Sequence, residues 1–223
     1  MNTMIYTDGA SSGNPGSGGW GAIIIDPQQY VYELGDAYPY TTNNEMEIVA
    51  ALNALKSLKN WECPILIYTD SRYLIQSITQ WIHLWKKNDW KNSQKKPVIH
   101  LQLWKEFLQF PLHQIQWFHV PGHQGYLGNE RADAIAVAFS KGKCPSLFKG
   151  PLQKYPYLKN SHSLTTHASY PCYLAWINGK LKRYSSWKEC EYEIKYQSKI
   201  PFKKVKSPEE ENLVLENWKT LFR

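Results

Sequence analysis

The sequence lacks the long apolar runs, paired cysteines and basic leader that mark several classes of protein. No stretch approaches the about 18 apolar residues of a membrane-spanning helix, and no basic segment followed by an apolar run opens the chain, so neither a membrane protein nor a signal peptide is expected. Its four cysteines lie far apart without a CxxC pair, which argues against a metal cluster and a disulfide scaffold. We therefore expect free thiols and a cytoplasmic location.

Basic residues are concentrated in the C-terminal part of the chain. The formal net charge of the 223 residues is +7, but residues 1–140 carry −2 and residues 141–223 carry +9. Such asymmetry favours an acidic polymer as partner, nucleic acid first, although a solvated basic surface would give the same count.

The apolar patterning predicts three parts. Over residues 1–142 the predicted elements follow the order β-β-β-α-β-α-α-β-α, which indicates a mixed α/β layer with helices against one sheet. The next segment, 143–168, is rich in lysine, proline and serine and contains no acidic residue, a composition typical of a linker. Residues 169–223 return to an ordered pattern and predict a small second domain.

Acidic residues stand where predicted strands end. Asp8 follows the first strand and Asp70 the fourth, while Glu47 lies in the first turns of a helix and Asp133 at a loop-to-helix junction. Converged carboxylates repel one another unless a cation neutralises them. Oxygen ligands suit Mg²⁺, and two such ions about 4 Å apart support phosphodiester hydrolysis. Any one of these acids, taken alone, is more readily interpreted as a helix cap or a surface charge.

Taken together, the motifs resemble type I ribonuclease H over residues 1–140. The segments that carry the resemblance are Thr7-Asp8-Gly9-Ala10, Gly13-Asn14-Pro15-Gly16, Thr41-Thr42-Asn43-Asn44-Glu45-Met46-Glu47, Thr69-Asp70-Ser71, Gly122-His123 and Asn129-Glu130-Arg131-Ala132-Asp133. The segment from Trp81 to Pro97 resembles the basic protrusion of the bacterial enzymes. The resemblance implies a ribonuclease H-like fold with a mixed five-stranded sheet and flanking helices. It also implies an endonuclease that hydrolyses the RNA strand of RNA–DNA hybrids and leaves 5′-phosphate ends.

The same resemblance implies a two-metal site made by Asp8, Glu47, Asp70 and Asp133. Two Mg²⁺ ions, or Mn²⁺ in their place, would be bound, with Asp8 bridging both ions. Asp133 would hold the ion on the nucleophile side, and Glu47 and Asp70 the ion on the leaving-group side. His123 matches the family's mobile histidine, which assists proton transfer or product release. A plain surface loop histidine is the alternative reading.

The resemblance also implies contacts to the hybrid, whose A-like shape and 2′-hydroxyls carry recognition. Residues expected to bind substrate are Gly9, Asn14, Asn43 and Asn44 on the RNA strand, Thr42 at a DNA phosphate, and Trp81 and Trp85 on the DNA strand. Amide side chains can both donate to and accept from a 2′-hydroxyl. Core packing is the competing interpretation of the two tryptophans.

Three positions depart from the family pattern. Tyr40 stands where several relatives have an arginine, and His100 stands where a pocket asparagine is common. Both weaken the expected hold on the DNA strand. Arg72 replaces a common glutamine after the Asp-Ser pair, and it would either contact a phosphate or pair with a surface acid.

The C-terminal domain resembles the hybrid-binding domain, which is related to caulimoviral viroplasmin segments. The resemblance rests on residues 172–176, 184, 186–190 and 202–205. It implies that Trp187 and Phe202 stack on DNA sugars while Lys203 and Lys204 contact phosphates. Burial of both aromatic residues in the core is the alternative. Asn178 and Lys182 replace typical loop glycines, and the family usually carries this domain at the N-terminus.

The leading hypothesis is a monomeric, metal-dependent endoribonuclease that binds RNA–DNA hybrids. The alternative is a hybrid-binding protein with a silent nuclease fold, against which the four intact acids argue. A polymerase-associated domain of a retroelement is less expected, because the first strand begins almost at Met1 and no polymerase segment is visible.

Overall fold

The computed structural model describes residues 2–59, 61, 63–122, 126–158, 171–177, 180–184, 187–195 and 200–221. The chain divides into two compact units, Met1–Leu164 and Thr165–Arg223. Within the described residues, no helix combines the length and the apolar character needed to cross a bilayer.

The first unit contains a six-stranded mixed sheet. Its strands are β1 (Thr3–Gly13), β2 (Gly16–Ile25), β3 (Tyr30–Thr41), β4 (Ile65–Thr69), β5 (Ile115–His119) and β6 (Lys149–Pro151). Their order across the sheet is β5-β4-β1-β2-β3-β6. β1, β4 and β5 are parallel to one another. The other pairs are antiparallel: β2 pairs with β1, β3 with β2, and β6 with β3.

Helices cover both faces of this sheet. They are α1 (Asn43–Ser57), α2 (Arg72–Gln76), α3 (Ile82–Lys87), α4 (Leu101–Phe107) and α5 (Leu127–Ser140), and a π-helical turn at Ser77–Trp81 joins α2 to α3. Thr42 caps α1, because its hydroxyl accepts a hydrogen bond from the Glu45 amide at 3.2 Å. This confirms the helix that the apolar spacing predicts after Thr42.

The alternation of side chains along β1 and β2 assigns the helices to opposite faces. Trp20 of β2 packs in the larger core cluster with α1 and α4, whereas a β-carbon on its neighbour Gly21 would meet α5. β4 is buried along its whole length, as expected for a central parallel strand between two helical layers. The mixed α/β fold predicted from the sequence is therefore confirmed.

The sheet has one strand more than the five expected. β6 lies within 143–168, the segment whose composition predicts a linker, and it pairs antiparallel with β3. Short 3₁₀ turns follow at Leu152–Lys154 and Pro156–Leu158. Tyr155 between them is only 2 % exposed. Proline and lysine are typical of linkers, but here they flank a short edge strand and a buried tyrosine.

The second unit is a three-stranded antiparallel sheet with two helices. Its elements are β7 (Cys172–Ile177), β8 (Lys180–Tyr184), α6 (Trp187–Ile194), β9 (Phe202–Val205) and α7 (Pro208–Leu221), with strand order β8-β7-β9. One face of β7 packs with Val214 of α7. The other face packs with Cys190 of α6. Arg183 and the buried Glu211 form an ion pair, with Nε–Oε distances of 3.1 and 3.2 Å.

Candidate active site

Three carboxylates converge where β1 and β4 lie side by side. One oxygen from each of Asp8, Glu47 and Asp70 lies within 4.8 Å of the others. Asp8 lies inside β1, which continues to Gly13 instead of ending before this acid as predicted, and Asp70 directly follows the parallel neighbour β4. The convergence expected from the strand-end positions is therefore present among the described residues.

Glu47 reaches this cluster from α1 because Gly9 lets the helix approach β1 closely. A β-carbon on Gly9 would overlap the backbone nitrogen of Glu47 and the carbonyl carbon of Met46. The contact is with backbone, which no rotamer change could relieve. Gly9 is thus required by the packing of α1, in addition to any contact with substrate.

Burial and mutual repulsion disfavour the ionised forms of Asp8 and Glu47 when no cation is bound. Burial, followed by the charges of Asp70 and Asp133, raises the pKa of Asp8 to about 8. Burial, followed by the charges of Asp8 and Asp70, also raises the pKa of Glu47 well above its ordinary value. The amide of Gly9 opposes both shifts. A bound cation would favour the ionised forms.

The donor set fits a divalent cation. Glu47 Oε2 is buried and has no hydrogen-bond partner among the described residues, which is unusual for a carboxylate oxygen in a protein interior. The other available donors are carboxylate oxygens, the ligands that Mg²⁺ and Mn²⁺ prefer. Asp8, Glu47 and Asp70 could therefore hold such an ion.

Asp133 approaches the cluster from α5. It lies in the second turn of that helix, and its charge contributes to the raised pKa of Asp8. It is not one of the three residues whose oxygens lie within 4.8 Å of one another. The fourth predicted carboxylate therefore adjoins the cluster from the opposite side of the sheet from α1.

The predicted His123 lies outside the described residues. The backbone just before it runs against the cluster, since a β-carbon on Gly122 would lie 2.7 Å from Asp70 Oδ2. The loop therefore begins beside the carboxylates.

The residues expected on the RNA strand lie along one end of β1 and α1. Asn14, Asn43 and Asn44 are exposed and Gly9 is half-buried. Asn43 Oδ1 accepts hydrogen bonds from the amide and hydroxyl of Ser11, at 2.6 and 2.7 Å. Ser11 thus holds the orientation of the Asn43 side chain, a role that the sequence analysis did not assign.

A carboxylate that the sequence analysis did not single out lies beside Thr42. Glu45 accepts a hydrogen bond from the Thr41 hydroxyl at 2.8 Å, and its Oε1 lies 3.9 Å from His100 Nδ1. Burial lowers the pKa of His100, and the charge of Glu45 opposes this. Tyr40 is 72 % exposed at the end of β3. The expected DNA-phosphate pocket therefore includes an acid, which only the fold brings next to His100.

Trp81 and Trp85 are half-buried and form part of an aromatic cluster. Their ring centroids lie 5.8 Å apart, and Trp85 lies 5.7 Å from the buried Trp104. Beyond them, Lys86 and Lys87 are exposed at the end of α3. Both tryptophans contribute to packing and also keep part of their surface accessible.

The Arg72 side chain contacts a histidine, a neighbour that the sequence does not predict. Its Nε lies 3.4 Å from Nε2 of His119, the last residue of β5. Both side chains are exposed beside Asp70.

In the second unit, some of the residues predicted to bind the hybrid lie close together. Trp187 and Phe202 are 36 % and 49 % exposed, with ring centroids 5.2 Å apart. Lys204 Nζ lies 5.6 Å from the Tyr173 ring centre, and Tyr173 packs against Trp187 at 5.5 Å. Lys203 is exposed too, but strand alternation directs it to the opposite face of β9.

Comparison with known proteins concerns mainly the first unit. Residues 1–141 match the family model described as RNase H. The chain is 50% identical over 143 residues to Ribonuclease H of Thermosynechococcus vestitus, covering 62% of this chain and 89% of that protein. It is 51% identical over 136 residues to Ribonuclease H of Dechloromonas aromatica, covering 59% and 88%.

Solved structures show the same fold. LC9-RNase H1, described as a type 1 RNase H with the type 2 active-site motif, has a TM-score of 0.55 at 27% identity, covering 70% of this chain and 78% of that chain. The foamy viral protease-reverse transcriptase in complex with RNA/DNA hybrid has a TM-score of 0.56 at 27% identity, covering 63% of this chain and 20% of that chain.

Proposed function

Because this chain belongs to the RNase H family, we propose that it hydrolyses the RNA strand of RNA–DNA hybrids with two divalent cations held by four carboxylates. Ribonuclease H activity follows from the family and from relatives at about 50% identity. The observation that carries the metal-dependent mechanism is the cluster of Asp8, Glu47 and Asp70, together with the partnerless buried oxygen of Glu47.

Four side chains would share the metal ligation. Asp8 would contact both ions, Asp133 the ion on the nucleophile side, and Glu47 and Asp70 the ion on the leaving-group side. When bound, Mg²⁺ or Mn²⁺ would supply Lewis-acid stabilisation of the attacking and leaving oxygens. Asp8 and Glu47, whose pKa values are raised in the protein alone, would be ionised beside these charges. Cleavage would leave a 5′-phosphate, and His123 would move a proton or help the product leave.

The RNA strand would be recognised by the backbone of Gly9 and the amides of Asn14, Asn43 and Asn44. Since Ser11 donates to Asn43 Oδ1, the Asn43 NH₂ group would be directed to a 2′-hydroxyl acceptor. Recognition through 2′-hydroxyls explains why RNA, and not the DNA strand, would be placed at the carboxylates.

The DNA strand would be held by Thr42, Trp81 and Trp85. The nearby Glu45 repels phosphate, and Tyr40 supplies no positive charge, so we expect a weak hold on this strand by the first unit. Strong binding would then depend on the second unit.

The second unit would bind the same hybrid through its exposed aromatic pair. Trp187 and Phe202 offer stacking surfaces, Lys204 supplies charge for phosphates on the same face, and Lys203 supplies charge from the opposite face of β9. We propose three parts: a catalytic domain over 1–142, a basic connecting segment over 143–168 whose residues 149–155 pack on that domain, and a hybrid-binding domain over 169–223. The enzyme would be a cytoplasmic monomer, in keeping with four free cysteines.

Cleavage of labelled substrates tests this proposal. We expect the protein to cleave an RNA–DNA hybrid in Mg²⁺ or Mn²⁺. The hybrid should stay intact when a chelator is added. Single-stranded and double-stranded RNA should stay intact under all of these conditions. Asp70→Asn should abolish cleavage, because an amide lacks the charge that holds a cation, and it should retain hybrid binding. Hybrid binding by the unaltered protein without cleavage in any metal would instead favour a silent nuclease fold.

A further inference from the structure

A segment beyond the family-matched residues packs beside α5 on the outer face of the sheet. Residues 144–158 are called the strap here. Its β6 pairs with β3, and its Leu152 amide donates to Gln29 O at 2.8 Å. Phe148 and Tyr155 pack together with ring centroids 5.0 Å apart, inside the core cluster of this face. The strap is therefore part of the packed first unit.

Glu33 of β3 is the point where the strap and α5 meet. Its side chain has 0% exposure, and its two oxygens accept four hydrogen bonds. Arg131 of α5 donates two, both at 2.7 Å. The strap donates the other two, from the Phe148 amide at 2.9 Å and the Tyr155 hydroxyl at 2.6 Å. A buried carboxylate with this many partners holds them in one geometry.

The charge of Glu33 is maintained by these partners. Burial alone would raise its pKa, but the hydrogen bonds from Arg131, Tyr155 and Phe148 bring the pKa below the ordinary value. The group is thus ionised, and removing one partner would leave a buried charge incompletely paired.

The strap also holds the guanidinium of Arg131. Ser146 O accepts a hydrogen bond from it at 3.1 Å, and the Tyr157 ring lies 4.2 Å from its central carbon. The carboxylate of Glu33, the carbonyl of Ser146 and the ring of Tyr157 together fix the planar guanidinium of Arg131. A lysine has one point charge and cannot satisfy all three.

At two positions β2 offers α5 only bare backbone to pack against. β-carbons on Gly19 and Gly21 would overlap the carbonyl oxygens of Ala136 and Ala132. Side-chain ridges and grooves normally fix the position of a packed helix, and these two glycines of β2 supply none. The Arg131–Glu33 pair is therefore well placed to fix the rotation of α5 and its lateral position.

The same turn of α5 carries the carboxylate of the active site. Arg131 and Asp133 are two positions apart, about 200° around the helix axis, so one is directed to the strap while the other faces Asp8. Any rotation of α5 that loosens Arg131 would displace Asp133 as well.

We infer that Glu33, Arg131 and Tyr155 are positioning residues for Asp133, so that the strap sets the affinity of the carboxylate site for its divalent cation. This inference rests on the proposed function, since it takes Asp133 as a ligand. It adds to that function a role for residues outside the family-matched segment.

Cation binding by the full chain tests the inference. Arg131→Lys and Tyr155→Phe would be compared with Phe107→Leu, a buried control on α4 in the opposite core cluster. Binding of Mn²⁺ would be measured by titration calorimetry, with the melting temperature Tm of each variant measured in chelator. We expect Arg131→Lys to weaken binding about tenfold, within the range for groups that orient metal ligands. Tyr155→Phe should have a smaller effect in the same direction.

The kinetic pattern should follow the binding pattern. The half-saturating Mg²⁺ concentration for hybrid cleavage should rise in both variants, with KM for the hybrid unchanged and kcat restored at saturating Mg²⁺. The control should lose Tm without a change in cation affinity. Variants that lose Tm like the control but bind Mn²⁺ as the unaltered chain does would overturn the inference and leave the proposed function standing. Failure of the unaltered chain to bind Mn²⁺ would overturn both.

Discussion

Asp8 shows, at the scale of one residue, that the carboxylate site opposes folding. The residue is buried beside Glu47, and its pKa is raised to about 8 by burial and then by Asp70 and Asp133. Near neutral pH the cation-free protein must therefore either protonate Asp8 or keep its charge beside the neighbouring carboxylates, and both lower the stability of the folded state. A cation that binds only the folded protein would restore the lost stability.

Asp8→Asn is accordingly expected to stabilise the cation-free protein. The amide has similar size and no charge, so a gain of about 1–2 kcal/mol, on the scale of single substitutions, would raise Tm by about 2–8 °C for a unit of this size. The measurement is thermal unfolding in chelator by circular dichroism, and added Mg²⁺ should stabilise only the unaltered protein.

The pH dependence of the same comparison has a definite sign. The folded-state pKa of Asp8, about 8, lies above its ordinary value of 3.8. Stability from the protonated group is therefore complete below about pH 4 and is lost as pH rises through about 8. The Tm of the cation-free unaltered protein should fall relative to Asp8→Asn over this interval. A constant difference between the two proteins would contradict the assignment.

Single residues differ in how far the sequence reveals them. Asp8 and Asp70 are predictable because each ends an apolar run, and parallel strands bring such ends together. Glu33 carries no such signal, since its partner Arg131 lies 98 residues further along the chain. Only the folded sheet reveals that this acid is buried and paired.

At the scale of elements, the site depends on how closely α1 approaches β1. Gly9 faces the backbone of Met46 and Glu47, with no room for a β-carbon. The position of Glu47 in the site is therefore set by a helix–strand contact as well as by the hydrogen bonds that its carboxylate accepts from Gly9 and Thr69.

Gly9→Ala should displace α1 and impair both folding and cleavage. The overlap is with backbone, so we expect a loss of about 1–3 kcal/mol, typical of overpacking, and a loss of cleavage greater than the loss of folded protein. Urea unfolding and single-turnover cleavage would measure the two effects. Ser12→Ala, at an exposed position on the same strand, is the matched control. Full activity of Gly9→Ala would show that α1 can shift without moving Glu47.

Elements were predictable where apolar periodicity is long and regular, as in α1 and β4. The helix predicted after the fourth strand is present as α2 and α3, but a π-helical turn at Ser77–Trp81 interrupts its α-helical pairing. β6 could not be predicted, because a three-residue strand is too short to show a period. Its pairing depends on β3 and on the burial of Tyr155.

At the scale of the whole molecule, the net positive charge lies outside residues 1–140, which contain the carboxylate site. Residues 1–140 carry a net charge of −2 although they include the exposed lysines of the protrusion. Residues 141–223 carry +9. If the second unit binds hybrid, tethering would raise the local concentration of substrate at the carboxylates. The chemistry itself would not depend on it.

Removing the hybrid contacts of the second unit should therefore lower affinity and processivity without changing the rate of cleavage of bound hybrid. In the full chain, Trp187→Ala with Phe202→Ala removes two stacking surfaces, each worth about 1–3 kcal/mol, and should weaken hybrid binding about tenfold or more.

Deletion of residues 165–223 should weaken hybrid binding further and reduce the salt dependence of binding, because lysines that contact phosphates are lost. A cut at residue 142 would be misleading, since it also removes β6 and the buried Tyr155. Tyr192→Ala, at a residue 78 % exposed on α6, is the matched control. Hybrid affinity equal to that of the full chain in both the double variant and the truncation would assign the second unit another task.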